Sequence, residues 1–301
     1  MNSGSVIPAV PVSHPKPQAV YDQVVRVAGC RQAANTLNCL RSKRPAQFLA
    51  AANSLPGILS YNSVNLAYVP RPDSSDNFMP ESPEIAGSAG NFAKVPLILG
   101  DQEDEGTLFS LFQQNLTTPE LLTNYIKSYF PEAKPGVVEA YVQLYPDNAA
   151  AGSPFGTGTQ FNPYPQFKRL AAILGDLTFT LSRRTVLQSA SKVVPAWSYL
   201  NTFIKAPLLG TFHGGDLLYM FDVTRQTENT FPAQVLQTTV ISFANTLDPN
   251  GLKVPGLVAW PKYGPDAQLL NVGNATTSLM ADDFRQAQSD FLTQNVESFR
   301  V

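Results

Sequence analysis

Apolar residues along this chain follow two spacings. Some form short unbroken or alternating runs, and others recur every third or fourth position over longer stretches. The first spacing predicts strands and the second predicts helices with one buried face. Strands are expected at 64–69, closed by Pro70-Arg71-Pro72-Asp73, at 95–99, stopped by Gly100, at 197–204 and at 269–272. Short helices are expected at 17–28, with Val20, Val24, Val25 and Val27 on one side, at 33–40 and at 45–52. Thr118 followed by Pro119 is a helix start, a hydroxyl cap before a proline at the first helical position, and that helix should reach about 130. Pro135-Gly136 opens another, to 144. The longest helical pattern runs over 165–188, with Phe167, Leu170, Leu174, Leu177 and Leu181 on one face and Arg183-Arg184 beside it. Helices are also expected at 233–247, ended by Asp248-Pro249-Asn250-Gly251, and at 282–296, with Phe284, Ala287 and Phe291 on one face. Residues 1–16, 73–91 and 146–164 read as loops. The consecutive helices of about 118–190 form an insertion between strands, so the expected class is α/β, and no internal repeat interrupts it.

Composition narrows the picture. A chain of 301 residues with 44% hydrophobic and 15% charged residues has enough apolar side chains for a sizeable core. A net charge of −2 gives no basic footprint for a nucleic acid. No apolar run reaches the roughly 18 residues that a membrane span needs. The cysteines are Cys30 and Cys39, which either close a small loop or remain two buried thiols. Two glycosylation sequons, Asn115-Leu116-Thr117 and Asn274-Ala275-Thr276, suit a secreted protein and favour the bonded alternative. The first residues, Met1 to Ser5, lack the basic start and apolar stretch of an export signal.

Chemistry concentrates just past the strand at 95–99, in Asp101-Gln102-Glu103-Asp104-Glu105-Gly106-Thr107. Carboxyl ends of strands are where open α/β sheets place their sites. Three readings of this acidic knot compete. It places acidic groups at positions one, three and five of a calcium loop and glycine at six, yet Phe112 stands where the closing glutamate belongs. It also suits a solvated turn. The third reading pairs one carboxylate with an imidazole, fixing the tautomer of a general base. Histidine supply limits that choice to His14, between loop residues, and His213, in Gly210-Thr211-Phe212-His213-Gly214-Gly215-Asp216. Chain order supports the pair Glu105 and His213, since α/β-hydrolase triads run serine, acid, histidine. The nucleophile is missing: no Gly-x-Ser-x-Gly occurs, and the nearest approaches are residues 86–90, which begin with Ala86, and 152–156, whose centre is Pro154.

GDQEDEGTLF followed by GTFHGGD resembles the type-B carboxylesterase/lipase family, and within it the fungal Candida rugosa-type lipases and sterol esterases. MNSGSVIP, AGC to CL, LAYVPRPD, NFMPESP, ISFANTLDPN and DDFRQAQ extend the likeness along nearly the whole chain. The resemblance implies an α/β-hydrolase fold: the carboxyl-terminal portion of a central, mostly parallel sheet with helical insertions, forming part of one domain. It implies Glu105 as triad acid, His213 as triad base, Leu108 and Phe109 beside an acyl pocket, and a Cys30–Cys39 disulfide. It implies ester or lipid substrates, secretion, and no metal or organic cofactor. The family's serine elbow, oxyanion hole, lid and signal peptide belong to an amino-terminal half that these 301 residues lack, so a truncated form, inactive alone, is expected. The rival reading is a cholinesterase-like binding module without catalysis, for which the retained Glu105 and His213 have no use.

Overall fold

The computed structural model of the protein describes residues 1–223 and 230–301. Three small helices come first, α1 (Pro15–Val27), α2 (Thr36–Arg41) and α3 (Pro45–Ala52). His14 caps α1, its Nδ1 accepting from the Lys16 amide at 3.1 Å. A disulfide joins Cys30 to Cys39, with Cα atoms 5.8 Å apart. Val24, Val25, Leu40 and Ala51 pack around it.

The stretch 64–69, expected as a strand, is irregular. Its surroundings explain why. The preceding carbonyls of Tyr61 and Asn62 accept from the hydroxyls of Tyr125 and Tyr129, and Ser63 Oγ donates to Phe109 O. Side chains of the helical layer hold the turn at 61–63, the backbone amides of Asn65 and Leu66 donate locally to Asn62 O and Val64 O, and among the described residues no strand lies alongside. A further helix, α4 (Pro83–Ala89), stands in what the sequence suggested was loop.

The sheet has four strands in the order β1 (Leu97–Gln102), β2 (Ala196–Asn201), β3 (Gln268–Val272) and β4 (Thr277–Ala281). The first three run parallel and β4 returns antiparallel. Strand β1 does not stop at Gly100 but continues to Gln102. Gly100 is there because the Tyr199 ring crosses β1: a Cβ at Gly100 would lie 2.3 Å from that ring. On the outer side of β1, Ser3 N donates to Gly100 O at 2.8 Å and Gly100 N donates to Met1 O at 3.1 Å. Strand β2 spans 196–201, shorter than the alternation over 197–204 suggested, and every residue in it is buried. It is central and covered on both faces. Strand β4 left little trace in the sequence. Only Thr277 is fully buried in it, so backbone pairing rather than an apolar face defines it.

Between β1 and β2 lie α5 (Pro119–Lys127), α6 (Val137–Gln143), α7 (Phe167–Gly175) and α8 (Leu181–Ala190). Parallel neighbours require such a crossover. Thr118 caps α5 as expected, accepting from Leu121 N at 3.3 Å. Helices α7 and α8 are joined by a π-helical turn, Asp176–Thr180, so the long helical pattern is one element with a bulge. Its expected single apolar face is too narrow a description. All of α7 is buried, and Arg183 and Arg184 are buried as well. Between β2 and β3 come α9 (Gly215–Met220) and α10 (Phe231–Thr246). The last helix, α11 (Gln286–Gln294), begins after Arg285, whose φ is +53°, and not at residue 282. Asp282 is instead buried beneath the sheet, where Arg183 and Arg184 both donate to it.

One face of the sheet packs Leu99, Ala196, Leu200 and Leu269 against Leu187 of α8. The other packs Trp197, Tyr199, Leu270 and Val272 against Val235 and Leu236 of α10. Among the described residues no helix is long and apolar enough to cross a membrane.

Candidate active site

Two loops leave the carboxyl ends of β1 and β2 and meet. Asp104 joins them. Its amide donates to Thr211 O at 2.9 Å, and its Oδ2 accepts from Thr211 N at 2.9 Å. Its Oδ1 accepts from Ser153 Oγ and Phe155 N, both at 2.8 Å. Gly210 has φ +62°, and a Cβ there would sit 2.1 Å from Asp104 Oδ2. Thr107 Oγ1 lies 2.7 Å from Leu209 O, a second tie between the loops. Gly106 lies flat on α7, where a Cβ would come within 1.9 Å of Ala171 O. Thus Asp104, Gly106, Thr107 and Gly210 have structural reasons to be what they are, and each holds Glu105 or His213 in place.

Glu105 Oε2 lies 2.6 Å from His213 Nδ1. Oε1 accepts from Gln102 N at 2.7 Å and from Ser3 Oγ at 2.5 Å. The carboxylate side chain is 0% exposed, and that of His213 is 31% exposed. The imidazole rests against the rings of Phe109, 5.0 Å away, and Phe179, 4.8 Å away, which stack on each other at 5.6 Å. Phe179 comes from the π-helical turn, so the bulge sets the wall of the site. A carboxylate acceptor on Nδ1 leaves the proton there and a lone pair on Nε2, and Nε2 has no hydrogen-bond partner among the described residues.

Electrostatics shift His213 toward the charged imidazole relative to a free histidine. Burial pulls the His213 pKa down, but the hydrogen bond and charge of Glu105 outweigh it, with Asp216 and Asp101 adding, and the net shift is upward. Asp216, buried just past the histidine, is itself pushed up, first by burial and then by the charge of Glu105. On the opposite face of β1, burial pushes Asp101 up to about 7, against the pull of Arg183.

The other residues singled out from the sequence are placed as follows. Phe109 is buried against His213, and Leu108 is half-buried against the helical core. Asn115 and Asn274 are exposed. His14 stands apart, 3.5 Å from Glu132. Ser88, centre of the nearest approach to an elbow pattern, lies on α4 with its hydroxyl donating to Glu84 O. The calcium and solvated-turn readings of the acidic knot both fail. Asp101 pairs with Arg183, Glu103 with Lys205, Asp104 with the second loop, and Glu105 with His213. Among the described residues no cluster of His, Cys, Asp or Glu is arranged to hold a metal. Sequence reasoning missed Ser3, which reaches Glu105 from the opposite end of the chain, and Phe179, whose position depends on the π turn. Asp216 carried a signal, since it follows Gly214-Gly215 directly.

The carboxylesterase family model matches residues 1–292. The chain belongs to that family. Among curated carboxylesterase-family relatives, Secreted lipase 1 of Botryotinia fuckeliana is 47% identical over 306 residues, covering 100% of this chain and 52% of its own length. Lipase 4 of Diutina rugosa is 38% identical, covering 100% of this chain and 54% of its own length. Lipase 2 of Geotrichum candidum is 36% identical, covering 95% and 50%. This carboxylesterase-family chain therefore spans about half the length of the curated relatives it matches. The crystal structure of Aspergillus niger EstA superposes with a TM-score of 0.78 at 22% identity, covering 99% of this chain and 58% of that one. That likeness speaks to the fold, which is the α/β-hydrolase fold expected from the sequence.

Proposed function

We propose that this chain supplies the acid and base of a Ser-Glu-His triad for hydrolysis of carboxylic esters, with the serine lying outside these 301 residues. The observation that carries the reading is the 2.6 Å contact between Glu105 Oε2 and His213 Nδ1, with no partner on Nε2 among the described residues. In the reaction His213 Nε2 takes the serine proton as the hydroxyl attacks the ester carbonyl. Glu105, held by Gln102 N and Ser3 Oγ, balances the imidazolium. The proton then passes to the leaving alcohol, and the acyl-enzyme is hydrolysed by a water activated in the same way. No step needs a metal or organic cofactor. Leu108 and Phe109 line the acyl side of the site. The names of the relatives support a lipid ester as substrate and secretion, with glycans at the exposed Asn115 and Asn274. Residues 1–301 are then the carboxyl-terminal part of one type-B carboxylesterase domain, with its helical insertion at about 118–190.

The test is a chimera in which this chain replaces the matching half of the Botryotinia relative. The chimera is expected to hydrolyse p-nitrophenyl esters and to lose turnover by at least about a thousandfold on His213→Ala. The 301-residue chain alone is expected to show no turnover. A folded chimera whose turnover survives His213→Ala sinks the assignment. A soluble, stable chain with a chimera indifferent to Glu105→Gln favours the non-catalytic binding module.

A further inference from the structure

The lobe built from α1, α2 and α3 differs in charge from the rest of the molecule. Between positions 23 and 72 the sequence carries Arg26, Arg31, Arg41, Lys43, Arg44 and Arg71 and no acidic residue, within a chain of net charge −2. Among the described residues, Arg41, Lys43 and Arg44 enter no ion pair. The same lobe turns apolar side chains outward. In α3, Phe48 is 44% exposed and Leu49 is 58% exposed, and Ala51 is the residue that is buried. An open groove lies beside them, lined by Val20, Tyr21, Leu40, Phe48 and Tyr68 together with Arg41 and Lys43. The disulfide and the packing of Val24, Val25 and Leu40 hold these elements together, so a fixed scaffold presents the patch.

Apolar side chains standing in water beside uncompensated cations match a surface that is apolar inside and anionic outside. We propose that the α1–α3 lobe docks on a lipid surface carrying negative charge. Phe48 and Leu49 enter the acyl layer, and Arg41, Lys43 and Arg44 lie among the headgroups. Docking needs no ester turnover, so binding and catalysis succeed or fail separately.

Flotation of the monodisperse fraction of the 301-residue chain, kept below the micromolar concentration at which it is expected to aggregate, tests this, because aggregated chain sinks and is removed before vesicles are added. The chain is expected to float with vesicles containing phosphatidylglycerol, to float far less with phosphatidylcholine alone, and to detach as salt rises. Each basic side chain near such a surface contributes roughly fivefold, so R41Q/K43Q/R44Q should lower partitioning by about a hundredfold. F48D/L49D should abolish it. Both sets alter mostly exposed side chains, and circular dichroism checks that the fold persists. Equal flotation with neutral and anionic vesicles overturns the proposal. So does unchanged flotation of the triple variant, or no flotation at all, which is the outcome for a lobe that binds protein instead.

Discussion

At the scale of single residues, the site turns on how His213 is charged. Glu105 raises its pKa above the ordinary value near 6.5, against the downward pull of burial. Removing the carboxylate takes away the largest upward pull and leaves Asp216 and Asp101 to oppose burial. An NMR titration of the His213 ring should give a pKa above 6.5 in the chain and a lower one after Glu105→Gln. An unchanged titration would mean the two groups do not pair in solution. The sign for stability follows from the raised pKa. The pair's contribution is fully present below about pH 6.5 and fades as pH rises through the folded-state value. Gly106 tests the scaffold around them. A methyl there meets the Ala171 carbonyl, which is backbone and cannot swing aside. Gly106→Ala should therefore cost on the order of 3 kcal/mol in urea unfolding. The Gly-Thr of the acidic motif was legible as a motif, but its reason was not, because the helix it touches is distant in sequence.

At the scale of elements, the continuous helix from 167 to 190 does two tasks. Its π turn aims Phe179 at His213, and its second half carries Arg183 beneath the sheet. Arg183 donates to Asp101 at 2.8 Å and to both oxygens of Asp282, and Arg184 shares Asp282. Burial pushes the Asp282 carboxyl up, but the two guanidinium groups outweigh it and hold the pKa low. Its contribution to stability is present above about pH 4 and is lost as pH falls through the lower folded value. Asp282→Asn leaves two buried cations poorly compensated and should cost about 3–5 kcal/mol at neutral pH in denaturant unfolding. A cost under about 1 kcal/mol would show that water reaches the cluster. The disulfide belongs to this scale too. Cys30→Ser with Cys39→Ser should cost about 2–4 kcal/mol and loosen the α1–α3 lobe in proteolysis.

At the scale of the molecule, β1 offers an edge on which, among the described residues, only Met1 to Ser3 pair, with apolar lining on both sides of it, including Leu97, Ile98 and Val240. Unpaired edges and uncovered apolar faces promote association between chains. The isolated chain is expected to aggregate at micromolar concentration in light scattering, and a monodisperse monomer there would count against an exposed edge.

Local pattern alone carried α5, α10, β2, β3 and the long helix, because capping residues, prolines and apolar spacing act within a few positions of the chain. The pairing of Glu105 with His213 was legible through their motifs. Tertiary structure alone decided the rest. Strand β4 exists through backbone pairing that leaves little side-chain signature, and the 64–69 stretch is no strand because, among the described residues, no strand lies beside it. The arginines of α8 are buried because Asp101 and Asp282 arrive from other strands and loops. Ser3 meets Glu105, and Phe179 meets His213, across separations that only the packed sheet and its crossover helices close.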